Sequence, residues 1–419
     1  MLNHRHMNSS VAHYKKIVNS WIMYDWANSA YITVVVAAVY PPFYRSVVKE
    51  AGFSEGAATA MWAYTASLAL GLIFLSGPLL GAISDHLGGK KRFLAISAGV
   101  GIAATTALAF TDSMSYLAVS AIFIVSNIGY SASILFYDSL LPHIVKRTDI
   151  DRVSTRGYTL GYLGGGILLL INVLWLTYPQ YFGLSGTTAA VKACLISVSV
   201  WWALFTIPLL RNVPEPEISL TIGHKSLTDD VRKGCRRLAC TFREAARYRQ
   251  LLLFLPAFWL YYEAIGTIIK MATAYGDEIG IGLTDMVIAL LVTQFIGVPS
   301  TLVFGRLAKI FSAKTAILCG LGIYAFTICG AFFMSTAFHF YILAVLIGVA
   351  QGGTQALSRS LFAAMVPKTR SAEFFGLFSS SEKAAGILGP LVFGLTSQIS
   401  GESRYGIVIL EIFLLAGML

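Results

Sequence analysis

Charge is scarce in this sequence: 12% of its 419 residues are Asp, Glu, Lys or Arg, where an average soluble domain carries roughly a quarter. A water-soluble enzyme of this size is excluded by that deficit. Cysteine is scarce too, with five in the chain, so a disulfide scaffold is excluded as well. Cys235 and Cys240 in the basic middle of the chain have no His or Cys pair to complete a zinc site. His4, His6 and His13 read as solvated N-terminal residues. No phosphate-binding loop, nucleophile–base pair or metal cluster is present, so neither an enzyme nor a bound cofactor or metal is expected.

What the chain has in abundance is apolar length, with hydrophobic side chains at 56% of positions. Apolar blocks separated by charged breaks predict twelve helices near 18–44, 57–84, 93–111, 115–142, 154–177, 189–210, 250–275, 285–308, 314–334, 337–365, 372–399 and 404–419. The blocks are unbroken rather than alternating, which excludes an outer-membrane barrel. The expected fold class is therefore an all-α membrane protein of twelve transmembrane helices in two six-helix bundles. The last block is short for a full span and includes Glu411.

The net charge of +10 reads as topology once it is counted by segment, because Lys and Arg mark the cytoplasmic side of a membrane protein. With the N-terminus inside, 24 of the 31 basic residues fall in cytoplasmic segments and four (Arg45, Lys49, Lys192 and Arg404) outside. Lys270, Arg359 and Lys383 remain within spans. Both termini are expected in the cytoplasm, in a cell (inner) membrane or a vacuolar membrane. The bilayer and a small molecule are the expected partners, the state a monomer. No basic face is left over for nucleic acid. The expected division is a cytoplasmic N-terminus at 1–19, a first bundle at 20–210, a basic linker at 211–249 and a second bundle at 250–419. Within the linker, Val231, Cys235, Leu238 and Phe242 share one helical face, which reads either as an amphipathic helix on the inner membrane surface or as a solvated connection.

The halves look like weak repeats, the device by which transporters surround a central site. Tyr137-Asp138-Ser139 in the fourth block matches Ser358-Arg359-Ser360 in the tenth. The turn carrying Gly81, Asp85, Gly88, Lys90, Lys91 and Arg92 has a faded counterpart at Gly305, Lys309 and Lys314. These features resemble the major facilitator superfamily, whose second loop reads Gly-x-x-x-Asp-Arg-x-Gly-Arg-Lys; His86 stands where Arg is usual. A narrower likeness lies in the run Tyr24 to Ala30, in Gly352 to Ser360 and in Glu373 to Gly376. Those blocks are similar to the vacuolar amino-acid effluxer branch, the autophagy-related permease-like proteins. The resemblance implies export of neutral amino acids, and the compact chain implies a bacterial member. In the seventh block Tyr262, Glu263, Ala264, Ile265 and Gly266 depart from that branch's pattern.

Ionisable groups inside a membrane are costly and mark function unless they are paired. Asp25, Asn28 and Ser29 share a face of the first helix, fit either to bind an ammonium group or proton or to hold two helices together. Glu263 and Thr267 form a second stripe with Lys270; Glu263 is the favoured proton-coupling residue, placed two turns into a helix that Pro256 opens. Gln351, Thr354, Gln355, Ser358 and Arg359 form an uninterrupted polar stripe on the tenth helix, a water-lined path or polar glue between helices. Glu382 and Lys383 should pair with other helices, Glu382 with Arg359. Gly81, Asp85, Gly88, Lys90 and Asp138 read as gating residues through the superfamily resemblance. Gly157, Gly161 and Gly165 recur every four residues and predict a smooth face for close packing.

The expected function is a secondary transporter working by alternating access. It would export small polar or zwitterionic metabolites such as neutral amino acids, with proton coupling in view. Export of drugs, sugars or peptides, and a transport-inactive receptor or scaffold, stay open as alternatives.

Overall fold

The computed structural model describes residues 2–53, 55–111, 115–216, 249–278, 281, 283–400 and 404–419. The expected amphipathic helix at 231–242 lies outside these residues. The first rod is longer than its apolar block: α1 (Leu2–Ala30) continues into a π-helical segment (Tyr31–Val39) and then α2 (Tyr40–Glu50). Pro41 and Pro42 occupy the first turn of α2. They bring no N–H to the carbonyls one turn earlier, and the wider π turns end where these prolines begin.

The remaining helices follow the predicted blocks closely. They are α3 (Glu55–Leu87), α4 (Lys90–Leu108), α5 (Tyr116–Ile144), α6 (Ile150–Thr177) and α7 (Thr187–Asn212), then α8 (Arg249–Glu278), α9 (Leu283–Ile310), α10 (Ala313–Phe332), α11 (Ala337–Met365), α12 (Ser371–Ser400) and α13 (Arg404–Met418). Pro256 does not open α8 as expected. It sits inside a helix that begins at Arg249, because intramembrane helices re-satisfy the carbonyl that a proline frees.

Among the described residues nine segments are long and apolar enough to cross a membrane, with Tyr405–Met418 a shorter apolar helix. α4 falls outside that group because it opens on Lys90, Lys91 and Arg92.

Helices α1 and α4–α7 pack chiefly among themselves, as do α8–α11 and α13, whereas α3 and α12 lie chiefly against the opposite set. The two sets meet where α3 and α5 lie against α12, and where α6 lies against α9 and α11. Gly88 and Gly89, at φ 79° and 81°, make the tight left-handed turn from α3 to α4 that a Cβ would strain. That turn fixes Asp85 and Lys90 side by side.

The glycine face predicted on α6 is where α1 docks. Seen from Gly157, Gly161 and Gly165, the space a Cβ would fill is taken by Asp25 Oδ2, Ser29 Oγ and Thr33 Oγ1, respectively. The i, i+4, i+8 spacing that runs from α1 into the π segment thus lies in register on the same spacing of α6.

Candidate substrate and coupling site

The charge cluster between the two sets is built on Arg359 of α11, 2% exposed and joined to two carboxylates of the opposite set of helices. Its Nη1 donates to Asp25 Oδ1 and to Asp138 Oδ1, both at 3.2 Å, and its Nη2 to Asp25 Oδ2 at 3.0 Å. Nε donates to Ser154 Oγ at 2.9 Å and Nη2 also to the Ser154 carbonyl at 3.1 Å. A guanidinium has five N–H donors, and here each has an acceptor. The fork is bidentate on Asp25, the geometry that makes Arg–carboxylate pairs strong.

The surroundings hold that geometry. Tyr137 OH donates to Asp25 Oδ2 at 2.8 Å, and Trp21 Nε1 pins the Tyr137 carbonyl at 3.1 Å. The guanidinium carbon lies 4.4 Å from the ring centre of Tyr158 and 5.0 Å from that of Trp21, within cation–π range. Ser154 Oγ passes its own proton to the Ala356 carbonyl at 2.7 Å, so α6 and α11 are stitched one turn above the arginine. Asn28 turns inward and donates to the Tyr24 carbonyl at 2.6 Å, a helix-internal bond.

Two expectations change here. Glu382 is not the partner of Arg359, since α1, α5 and α6 present enough acceptors to saturate the guanidinium; Glu382 is half-buried and within its electrostatic reach only. Asp138, grouped from sequence with the gating charges, stands in the same ion cluster as Asp25.

The polar stripe of α11 divides into parts. Thr354 and Ser358 spend their hydroxyls on carbonyls four residues back, Ala350 and Thr354, each at 2.7 Å. Gln355 accepts from Tyr162 OH of α6 at 3.1 Å. Gln351, a turn further from Arg359, lines a cavity of about 190 Å³ whose other walls include Ile32 and Thr33 of the π segment, Leu169 of α6, Thr293 of α9 and Ile328 of α10. Among the described residues, none that lines it is ionisable.

Glu263 stands apart. Its carboxylate, 2% exposed, accepts the backbone N–H of Gly389 in α12, and Thr267 Oγ1 crowds the same glycine. The side chain of Lys270 lies outside the described residues. Lys383 is half-buried beside Glu382.

A third cluster closes the end of the molecule at the α3–α4 turn. Lys90 is salt-bridged to Asp85 and donates to Ser371 Oγ at 2.9 Å; Asp85 accepts the Glu373 N–H of the first turn of α12 at 2.7 Å. A carboxylate there meets the unpaired N–H groups and positive end of α12. Ser371 Oγ donates to the Ser139 carbonyl at 2.9 Å and lies 3.0 Å from His143 Nε2. Gly81 is required because the Ala372 carbonyl occupies its Cβ space. Ser371, His143, Ser154 and Tyr158 escaped the sequence reading; only their proximity to Arg370, Pro142 and the glycine run signalled that helices begin, end or touch there.

Two sets of helices locked by buried charge at one end, with a cavity between them towards the other, define a membrane transporter of the major facilitator class. The chain belongs to the family described as "Vacuole effluxer Atg22 like", whose profile matches residues 13–419. It is 38% identical to the "Uncharacterized MFS-type transporter YxiO" of Bacillus subtilis over 97% of this chain and 94% of that one. To "Autophagy-related protein 22" of Eremothecium gossypii it is 27% identical, over 78% of this chain and 69% of that one. Its fold matches the human organic anion transporter MFSD10 with a TM-score of 0.73 at 14% identity, covering 97% of this chain and 98% of that one. The protein is a transporter of this family and not an enzyme.

Proposed function

We propose that this protein is a secondary carrier that alternates access, exporting small polar or zwitterionic metabolites such as neutral amino acids, and that a proton moves with the cycle through Asp25 and Asp138. The observation that carries the reading is the Arg359 cluster, because it joins the two sets of helices by bonds that must break if that end is to open. Two carboxylates share one guanidinium there, so the cluster holds one negative charge in excess. A proton or a substrate ammonium neutralises it, and either changes the strength of the lock.

The α3–α4 clamp supplies a second bolt at the same end, and the excess of basic residues in the segments on that side supports reading it as the cytoplasmic end. On this reading the cavity faces outward in a cell membrane, both termini are cytoplasmic and the carrier works as a monomer. The family's description as an effluxer supports the export direction, and the amino-acid class follows the resemblance carried by the Tyr24–Ala30 and Gly352–Ser360 blocks. The test is counterflow of labelled neutral amino acids in proteoliposomes with and without a pH gradient: Asp25→Asn should retain less than about a tenth of wild-type flux, and absence of pH dependence in wild type would remove the proton.

One observation favours a second reading. A cavity whose described lining residues include no ionisable one suits an amphipathic organic substrate, and a ligand stabilisation screen with Gln351→Ala separates that class from polar metabolites.

A further inference from the structure

The cavity beside Gln351 has one polar end, and helix packing fixes which. Thr33 Oγ1 of the π segment fills the Cβ space of Gly165 on α6, and Gln294 of α9 lies against the next residue, Gly166. The Thr293 carbonyl meets Gly348 of α11, so Gln351 stands within a turn of the same level. All three side chains line the cavity. Away from them the walls are apolar, among them Met286 and Leu290 of α9, Phe340 and Leu343 of α11 and Ile407 and Leu410 of α13. On the other side the ring of Tyr162 fills the space beside Gly297 of α9 and Gly352 of α11. It forms a floor between the cavity and Arg359, which lies about two turns beyond Gln351 along α11.

The hydrogen-bonding groups of that end are unspent. Elsewhere on the walls Thr293 gives its hydroxyl to the Ala289 and Ala344 carbonyls at 2.9 and 3.1 Å, and Thr327 to the Ile323 carbonyl at 2.7 Å. The Thr33 hydroxyl and the Gln294 carboxamide make no hydrogen bond to another described residue. Tyr162 gives its one proton to Gln355 Oε1 at 3.1 Å, so its bond with Gln351 takes one amide N–H and leaves the Gln351 carbonyl and second N–H open. Two carboxamides and a hydroxyl offer donors and acceptors together, and no charge. A ligand group that both donates and accepts satisfies them. An ammonium or carboxylate placed there is desolvated without a counter-charge, which is costly.

We propose that this cavity binds small uncharged amphipathic molecules, with one carboxamide or hydroxyl group seated among Thr33, Gln294 and Gln351 and an apolar body lying along α9, α11 and α13. A dry cavity of roughly 150 Å³ holds benzene, so one of about 190 Å³ takes a molecule of about eight non-hydrogen atoms. This inference rests on the second reading above, an amphipathic organic substrate, and narrows it to molecules without charge. Binding rather than flux is the readout, so that the site and the transport reading can fail separately.

Four probes carry the same branched end and differ in their head group: 4-methylpentanamide, 4-methylpentylamine, 4-methylpentanoate and leucine. Thermal stabilisation of the full chain in detergent at neutral pH, titrated with each, should give the amide a dissociation constant at least about tenfold below the other three. Gln294→Met and Gln351→Met keep the length of the side chain without its amide. Each should weaken the amide about fivefold, the scale of one neutral hydrogen bond, with the unliganded melting midpoint near wild type. Should either variant fail to fold, the four-probe ranking on wild type decides alone. Binding of a charged probe as tight as the amide's, binding of none, or amide affinity unchanged in both variants overturns the assignment. Binding of leucine alone also overturns it, and leaves the amino-acid reading standing. Amide binding without counterflow of labelled amide keeps the site and removes its part in transport.

Discussion

Arg359 is a buried cation whose environment is complete, and the cost of disturbing it follows from what remains after each change. Arg359→Gln strands Asp25 and Asp138 together with no counter-charge. Uncompensated buried charge costs about 3–5 kcal/mol, so the variant should show a large fall in thermal midpoint or fail to fold in detergent. Asp138→Asn leaves a one-to-one bidentate pair with Asp25 and should cost clearly less, a difference readable in the same melts. Gly157→Ala tests the packing beneath: its Cβ would meet both Asp25 Oδ2 and Arg359 Nη2, so the small-to-small change should abolish transport at normal expression, whereas Gly71→Ala, with open space around it, should be silent. The individual charges were legible in the sequence because an ionisable residue within an apolar block stands out. Their partners were not: the pairing of α11 with α1 and α5 is a matter of which helices touch, and spacing along one helix carries no such information. Glu382 was assigned to Arg359 for want of that knowledge.

At the scale of elements, the α3–α4 turn and the start of α12 form a latch whose parts are a salt bridge, a carboxylate on a helix N-terminus and a hydroxyl shared between Lys90, His143 and the Ser139 carbonyl. Asp85→Asn removes the charge from both the bridge and the helix end and should favour opening at this end. Ser139, fully buried beneath the latch, provides the probe. In a Ser139→Cys background, maleimide labelling from the loop side should rise about tenfold or more with Asp85→Asn, and unchanged labelling would mean that the latch does not gate access. The loop motif made half of this readable in advance. Of the other half, Glu373 opens a block that carries the family likeness but no gating role, Ser371 has no motif, and both acquire their part in the latch from the place where α12 begins. The glycines of α6 are the converse case: their period of four predicted a packing face, and α1 docks on it with its own period of four because the geometry of one helix dictates that of its neighbour.

For the whole molecule, the blocks of hydrophobicity located nearly every helix, since twenty apolar residues in lipid admit few other structures. They missed the continuous first rod with its π turns, which prolines and packing set rather than hydropathy. The two sets of helices touch through α3, α5 and α6 on one side and α9, α11 and α12 on the other, and the buried charge lies within that contact. On the proposed alternating-access cycle, opening of this end requires that the cluster break and reform, and this requirement is the central claim. It is tested most directly by flux: purified protein in proteoliposomes, loaded with unlabelled neutral amino acids and assayed for uptake of the labelled compounds, wild type beside Asp25→Asn and Arg359→Lys. The account predicts counterflow in wild type and less than about a tenth of it in either variant, although both fold. Full counterflow in variants that have lost the bidentate lock would contradict it.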